Sequence, residues 1–303
     1  MNGKDQQREK LYGLLGDLPD RNRPVSAETL SSTEHNGYIL EKLRLDLNGT
    51  EDVPAYFVKP KNSAGKIPAV LFCHSHGGQY LLGKNEMLLG NPSYLVEPEH
   101  AKSLTDNGYA ALCIDYWLFG ERAGASENDF FKETLWDGRV LWGMMVYDQL
   151  RALDYLCGRP DVDASRIGVT GLSMGSTMSW WLAALDERFK VCIDLCCMTD
   201  FHTLIEKNGL HGHGIYYYVP RLLKYFSSSD INALIAPRPH LSLNGVLDNL
   251  TPDEGLYIID ENMKKVYAKE NAPDAWQMIR YPVGHVETPD MRVKEMEFFK
   301  KWL

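Results

Sequence analysis

From Ile67 onward, short unbroken hydrophobic runs alternate with longer stretches whose apolar residues recur every three or four positions. The runs occupy residues 69–74, 109–116, 166–172, 191–197, 240–246 and 276–281. Strands apolar on both faces belong in a parallel sheet covered by helices on either side. Two further β-like segments, 38–47 and 53–59, precede them, behind a polar arm at 1–35 that is expected to be helical. Residues 135–156 carry apolar side chains at helical spacing, and Pro160 bars any continuation. Met291, Val293, Met296, Phe299 and Trp302 recur at near-helical intervals in 289–303 and suit a closing amphipathic helix. The predicted class is therefore α/β, a single domain over 1–303. Residues 198–237, which include Ile215-Tyr-Tyr-Tyr-Val219, are too long for a simple crossover and are expected to form a cap insertion over the site.

Composition narrows the partners. Hydrophobic residues make up 44% and charged residues 24%, ordinary for a folded domain that buries its own core. The net charge of −9, with no long basic run, excludes tracking of a phosphate backbone or an anionic bilayer, so neither nucleic acid nor membrane is expected. No apolar stretch approaches the ~18 residues of a membrane span. The polar first ten residues do not read as a signal peptide. The six cysteines follow neither a disulfide nor a zinc spacing and read as reduced core residues. The sequons at Asn48 and Asn249 read as chance matches, because a glycan on Asn249 would obstruct the neighbouring acid. Cytoplasmic location is the expectation.

Chemistry concentrates in three places. Gly171-Leu-Ser-Met-Gly175 follows a strand and opens an apolar helix. A nucleophile held on such a sharp turn needs glycines two residues either side, and its helix aims amides at the reacting centre. Ser173 is the expected nucleophile, and the Met174 amide an oxyanion donor. A serine needs a base and the base an orienter, which in this arrangement come in the order acid, then histidine. Asp248, in the loop after the 241–245 strand, is the expected acid, with Asp253 its rival. His285, between the last strand and last helix, is the expected base. The second oxyanion donor is expected in His74-Ser-His-Gly-Gly78, from the His76 amide or else Gly77.

The pair His74 and His76 admits a metal reading, with His211 and His213 as further ligands if the cap folds inward. The companion ligands usual after such a pair are missing beyond Gly77, so no metal and no cofactor is expected. Trp117 and Phe119, in the loop after the 109–116 run, and Tyr217 in the cap are candidate substrate-binding residues.

These segments, together with Val162-Asp-Ala-Ser-Arg-Ile-Gly168, Ala236-Pro-Arg-Pro239 and Asn244-Gly-Val-Leu-Asp248, resemble the dienelactone-hydrolase-like branch of the α/β-hydrolases. That branch includes acetyl-ester and xylan-acetyl esterases. The resemblance covers roughly residues 52–303. It implies a central, mostly parallel eight-stranded sheet and carries the catalytic triad onto Ser173, Asp248 and His285. Serine at 173, where dienelactone hydrolase has cysteine, points to cleavage of carboxylic esters, with short acyl groups expected. Ser75 replaces the glycine common after the first histidine of the oxyanion loop. The competing readings are a peptidase or amidase, a thioesterase, and a catalytically silent ligand-binding homologue. The expected partners are a small-molecule ester and, at most, a second copy of the chain in a homodimer.

Overall fold

The computed structural model describes residues 3–303. Helices α1 (Gly3–Tyr12), α2 (Glu86–Leu89), α3 (His100–Asp106), α4 (Glu127–Trp136), α5 (Leu141–Gly158), α6 (Met174–Leu185), α7 (Phe201–Glu206), α8 (Ser228–Ala233), α9 (Asp253–Lys269) and α10 (Pro289–Trp302) surround one sheet. Its strands are β1 (Ser26–His35), β2 (Tyr38–Asp46), β3 (Val53–Pro60), β4 (Ile67–Cys73), β5 (Ala110–Ile114), β6 (Val162–Leu172), β7 (Phe189–Leu195), β8 (His240–Gly245) and β9 (Trp276–Tyr281). They lie in the order β1-β2-β3-β5-β4-β6-β7-β8-β9. From β5 to β9 neighbouring strands run parallel, and β1, β2 and β3 pair antiparallel at one edge.

The sheet thus has nine strands, not eight, and the N-terminal arm is helical only in α1. Residues Ser26–His35 form an edge strand whose side chains are almost all exposed, so neither face required the apolar alternation that betrays a strand. Asn36 and Gly37, both at positive φ (46° and 87°), make the two-residue turn into β2. The long helix expected over 135–156 is two helices. Gly138, at φ 75°, breaks the chain between them, and the adjacent Arg139 bridges to Gly16 of the N-terminal segment. In α10 the buried side includes Met291, Phe298 and Phe299, while Val293 is half exposed.

Apolar side chains fill both sides of the sheet. One cluster packs α1, α5, α6 and α9 against Phe57, Leu71 and Val169, with Trp142, Trp180 and Trp181 fully buried. The other packs α3 and α10 against Val70, Phe72 and Ile193. Burying a side chain of this size contributes roughly 1.5–3 kcal/mol. Five of the six cysteines are buried and all six are free thiols. No helix among the described residues is long and apolar enough to cross a membrane.

The strand ends that matter lie at the carboxyl edge of β4, β6, β8 and β9, where loops and the start of α6 meet. Residues 198–237 leave the end of β7 and return to β8 through α7, three single 3₁₀ turns and α8. Asp200 caps α7 by accepting the Thr203 amide at 2.9 Å, which starts this insertion with a fixed direction.

Candidate active site

Ser173 sits between β6 and α6 with φ 59° and ψ −119°, a backbone conformation that side chains rarely adopt. The flanking glycines explain how it is tolerated. A Cβ on Gly175 would lie 1.9 Å from the Cys73 carbonyl oxygen, and one on Gly171 would lie 2.3 Å from the same atom. The turn is pressed against the end of β4, and only hydrogen fits at both places. Its position is held by the Ser173 amide, which donates to the Leu195 carbonyl at 2.9 Å.

His285 lies in the loop from β9 to α10, with Nδ1 2.6 Å from Oδ2 of Asp248. Asp248 is buried in the loop after β8, and its other oxygen accepts the Leu250 amide at 2.9 Å. Asp253 begins α9 at the surface and pairs with Arg280 at 3.1 Å. Thr288 caps α10, accepting the Met291 amide at 3.2 Å, and Pro289 comes next at the first helical position, which fixes the exit of the histidine loop.

Two buried carboxylates brace the loops that carry these groups. Glu86 accepts both the amide and the hydroxyl of Ser75 at 2.8 Å, and the Tyr94 hydroxyl donates to it as well. Serine at 75 is therefore an anchor, where a glycine would offer no hydroxyl. The Tyr94 carbonyl accepts the Glu287 amide at 2.8 Å, and Tyr94 also meets Ser75 through its hydroxyl, so it ties the loop of Ser75 to that of His285. Glu287 in turn receives Arg292 at 2.6 and 2.8 Å and the Val96 amide at 3.0 Å. Neither Glu86 nor the Glu287–Arg292 pair announces itself in the sequence.

Ser173, Met174, His76, His285 and Tyr217 share one pocket of about 230 Å³, together with Thr177, Cys197, His213, Tyr216 and Leu250. The cap does fold inward. Neither Trp117 nor Phe119 lines the pocket: Trp117 stacks on Phe130 and Arg122, and Phe119 packs against His76, Tyr80 and Tyr216. Phe119 supports the wall from behind through His76 and Tyr216, whereas Trp117 packs with Phe130 and Arg122 away from it. A larger apolar groove of about 340 Å³ lies on the far side of Tyr217, among Leu204, Leu210 and Leu222. It is lined by neither Ser173 nor His285.

The histidines beside the site are held neutral. Burial pushes His76 down to about 4, helped by His74 and His285, and burial also lowers His74 and His213. The nitrogens of His74 and His76 are already engaged in ways that do not converge on an ion. His74 uses Nδ1 on the Ser75 carbonyl (2.8 Å) and Nε2 on the Tyr116 amide (3.3 Å), while His76 uses both of its own on Gly78 and Tyr216. The one compact group of potential ligands among the described residues is His100, Glu287 and Glu295, and the Arg292 guanidinium lies among them. Burial pushes the Cys197 thiol up to about 12, so it enters the pocket as a neutral group.

The match of a family model to residues 15–296, described as the abhydrolase family, decides the assignment. The chain belongs to the abhydrolase family. A Bacillus subtilis (strain 168) relative named "Putative hydrolase YtaP" is 54% identical over 298 residues, which span 98% of this chain and 99% of that protein. A solved glucuronoyl esterase from Solibacter usitatus superimposes with a TM-score of 0.74 at 16% identity, over 97% of this chain and 92% of its own. An acetyl xylan esterase from Paenibacillus sp. R4 gives 0.68 at 19% identity, over 100% and 95%. At these identities the two structures speak for the α/β-hydrolase fold alone. In this member of the abhydrolase family, residues 212–217 form part of the wall of the pocket that holds Ser173.

Proposed function

We propose that this abhydrolase is a serine carboxylesterase that cleaves short-acyl esters through an acyl-enzyme. The observation that carries the reading is the pocket itself. A serine on a positive-φ turn at a helix start shares it with a histidine whose other nitrogen lies 2.6 Å from a buried carboxylate. In the proposed sequence His285 Nε2 takes the Ser173 proton as Oγ attacks the ester carbonyl. The Met174 and His76 amides receive the developing oxyanion, and His285 then protonates the departing alcohol. Water repeats the steps on the acyl-enzyme. Asp248 keeps Nδ1 protonated and the ring aligned, which leaves Nε2 free to act as base.

Short acyl groups are favoured by the enclosure, since Tyr216, Tyr217 and Leu250 leave about 230 Å³ for acyl and alcohol together. No group in this sequence of steps calls for a cofactor. The reading is tested by a hydrolysis panel of acetyl to octanoyl esters, acetylated sugars, thioesters and amides. Turnover confined to amides or thioesters would replace it with a rival on the same fold.

A further inference from the structure

The cap turn 212–217 supplies part of the pocket wall, and the partners of two side chains there fix where their protons lie. His76 accepts the Gly78 amide at Nδ1 (3.0 Å). A backbone N–H can only donate, so Nδ1 carries the lone pair and the neutral ring has its one proton on Nε2. Nε2 lies 2.8 Å from the Tyr216 hydroxyl and donates to it. Tyr216 therefore cannot spend its own proton on His76. Burial keeps the phenol protonated, so this O–H remains a donor for whatever enters.

His213 is fixed in the opposite sense. Its Nε2 lies 3.0 Å from the Leu250 carbonyl, which can only accept, so the proton of the neutral ring is on Nε2. The lone pair on Nδ1 is left over. The ring stacks on Tyr217 at 4.9 Å, and turning it over would break the bond to Leu250. One short turn thus places an uncommitted donor and an uncommitted acceptor beside Ser173. Neither is charged, and among the described residues no Lys or Arg lines the pocket, so the pair does not suit a carboxylate.

We propose that Tyr216 and His213 are specificity-determining residues that read a hydroxyl group on the ester. Tyr216 donates to the alcohol oxygen and Nδ1 of His213 accepts an alcohol proton, on one hydroxyl or on two neighbouring ones. The inference rests on the esterase reading above. Hydroxyls are the small neutral groups that donate and accept through a single oxygen. A plain alkyl ester would desolvate both protein groups and pair neither, which disfavours it against its hydroxylated isostere. The hydroxyl can belong to the alcohol or to the acyl part, and the two cases separate experimentally.

The test compares kcat/KM for 2-hydroxyethyl butyrate against propyl butyrate, and for ethyl 3-hydroxybutyrate against ethyl 3-methylbutyrate. Each pair exchanges one hydroxyl for one methyl. The expected result is a preference of about 10-fold or more for the hydroxy ester in one pair. That ratio should fall towards one in Tyr216→Phe and, independently, in His213→Gln, with thermal unfolding monitored to confirm that both variants are folded. A ratio near one in both pairs for the wild-type protein overturns the inference, as does a ratio that neither variant moves. Failure to hydrolyse all four esters, with no organophosphate labelling of Ser173, would overturn the esterase reading itself and this inference with it.

Discussion

His285 points Nδ1 at Asp248, 2.6 Å from its Oδ2, while Asp253, five residues further on, faces outward to Arg280. Two carboxylates near in sequence thus have different partners. Asp248→Asn should present the wrong histidine tautomer and lower kcat by roughly 10³–10⁴-fold, with the fold intact. Asp253→Asn should change kcat several-fold at most. Steady-state kinetics on one short ester compares them directly, and reversed effects would exchange the roles.

On the esterase reading, the enclosure by Tyr216, Tyr217 and Leu250 limits the length of the acyl chain. In an open groove each added methylene would contribute ~0.8 kcal/mol and rates would climb with length. Here kcat/KM should be highest between acetyl and butyryl and fall sharply by octanoyl. A maximum at octanoyl or beyond would mean that the chain escapes past Tyr217 into the apolar groove outside.

Gly175 is demanded by the Cys73 carbonyl, which leaves no space for a Cβ. Gly175→Ala must push α6 away from β4 and should destabilise the protein by ~1–3 kcal/mol or more. Urea titration measures this. A substitution without loss of stability would mean that the turn is not pressed against β4.

Acid should destabilise the protein through its buried histidines. His76 is lowered by burial to about 4 from its ordinary 6.5, so between these values the unfolded chain binds a proton that the folded chain refuses. The stability present above pH 6.5 is therefore lost as pH falls towards 4. His74 and His213 shift in the same direction and add to the loss. The urea midpoint should fall across this window, and less steeply in His76→Asn. Equal slopes would mean that His76 titrates normally.

Features were legible in the sequence where the physics is local. The runs of β4, β5, β7 and β8 stood out because a strand covered on both faces must be apolar throughout, whereas β9 is the far edge strand and only partly buried. The turn at Ser173 stood out because its glycines answer a steric demand. The edge strand β1 escaped because Ser26–His35 is exposed on both sides, although Asn36-Gly37 was an available hairpin signal. The bracing of Ser75 by Glu86, and the directions of the Tyr216 and His213 protons, depend on residues brought together only when the cap and loops close. Spacing along the chain carries no trace of such contacts. Trp117 and Phe119 carried the right chemistry for a pocket wall, yet Phe119 lies behind it and Trp117 packs against Phe130 and Arg122.

Everything proposed for the pocket depends on Ser173 being the nucleophile that is acylated. Reaction with a fluorophosphonate probe, read out by peptide mass spectrometry, puts that dependence to the test. The adduct should be found on the peptide containing Ser173, in parallel with loss of esterase activity. Ser173→Ala should abolish the adduct and lower kcat by roughly 10⁴-fold or more while leaving thermal unfolding nearly unchanged. An adduct on another residue, or labelling and turnover that persist in Ser173→Ala, would contradict the assignment of Ser173.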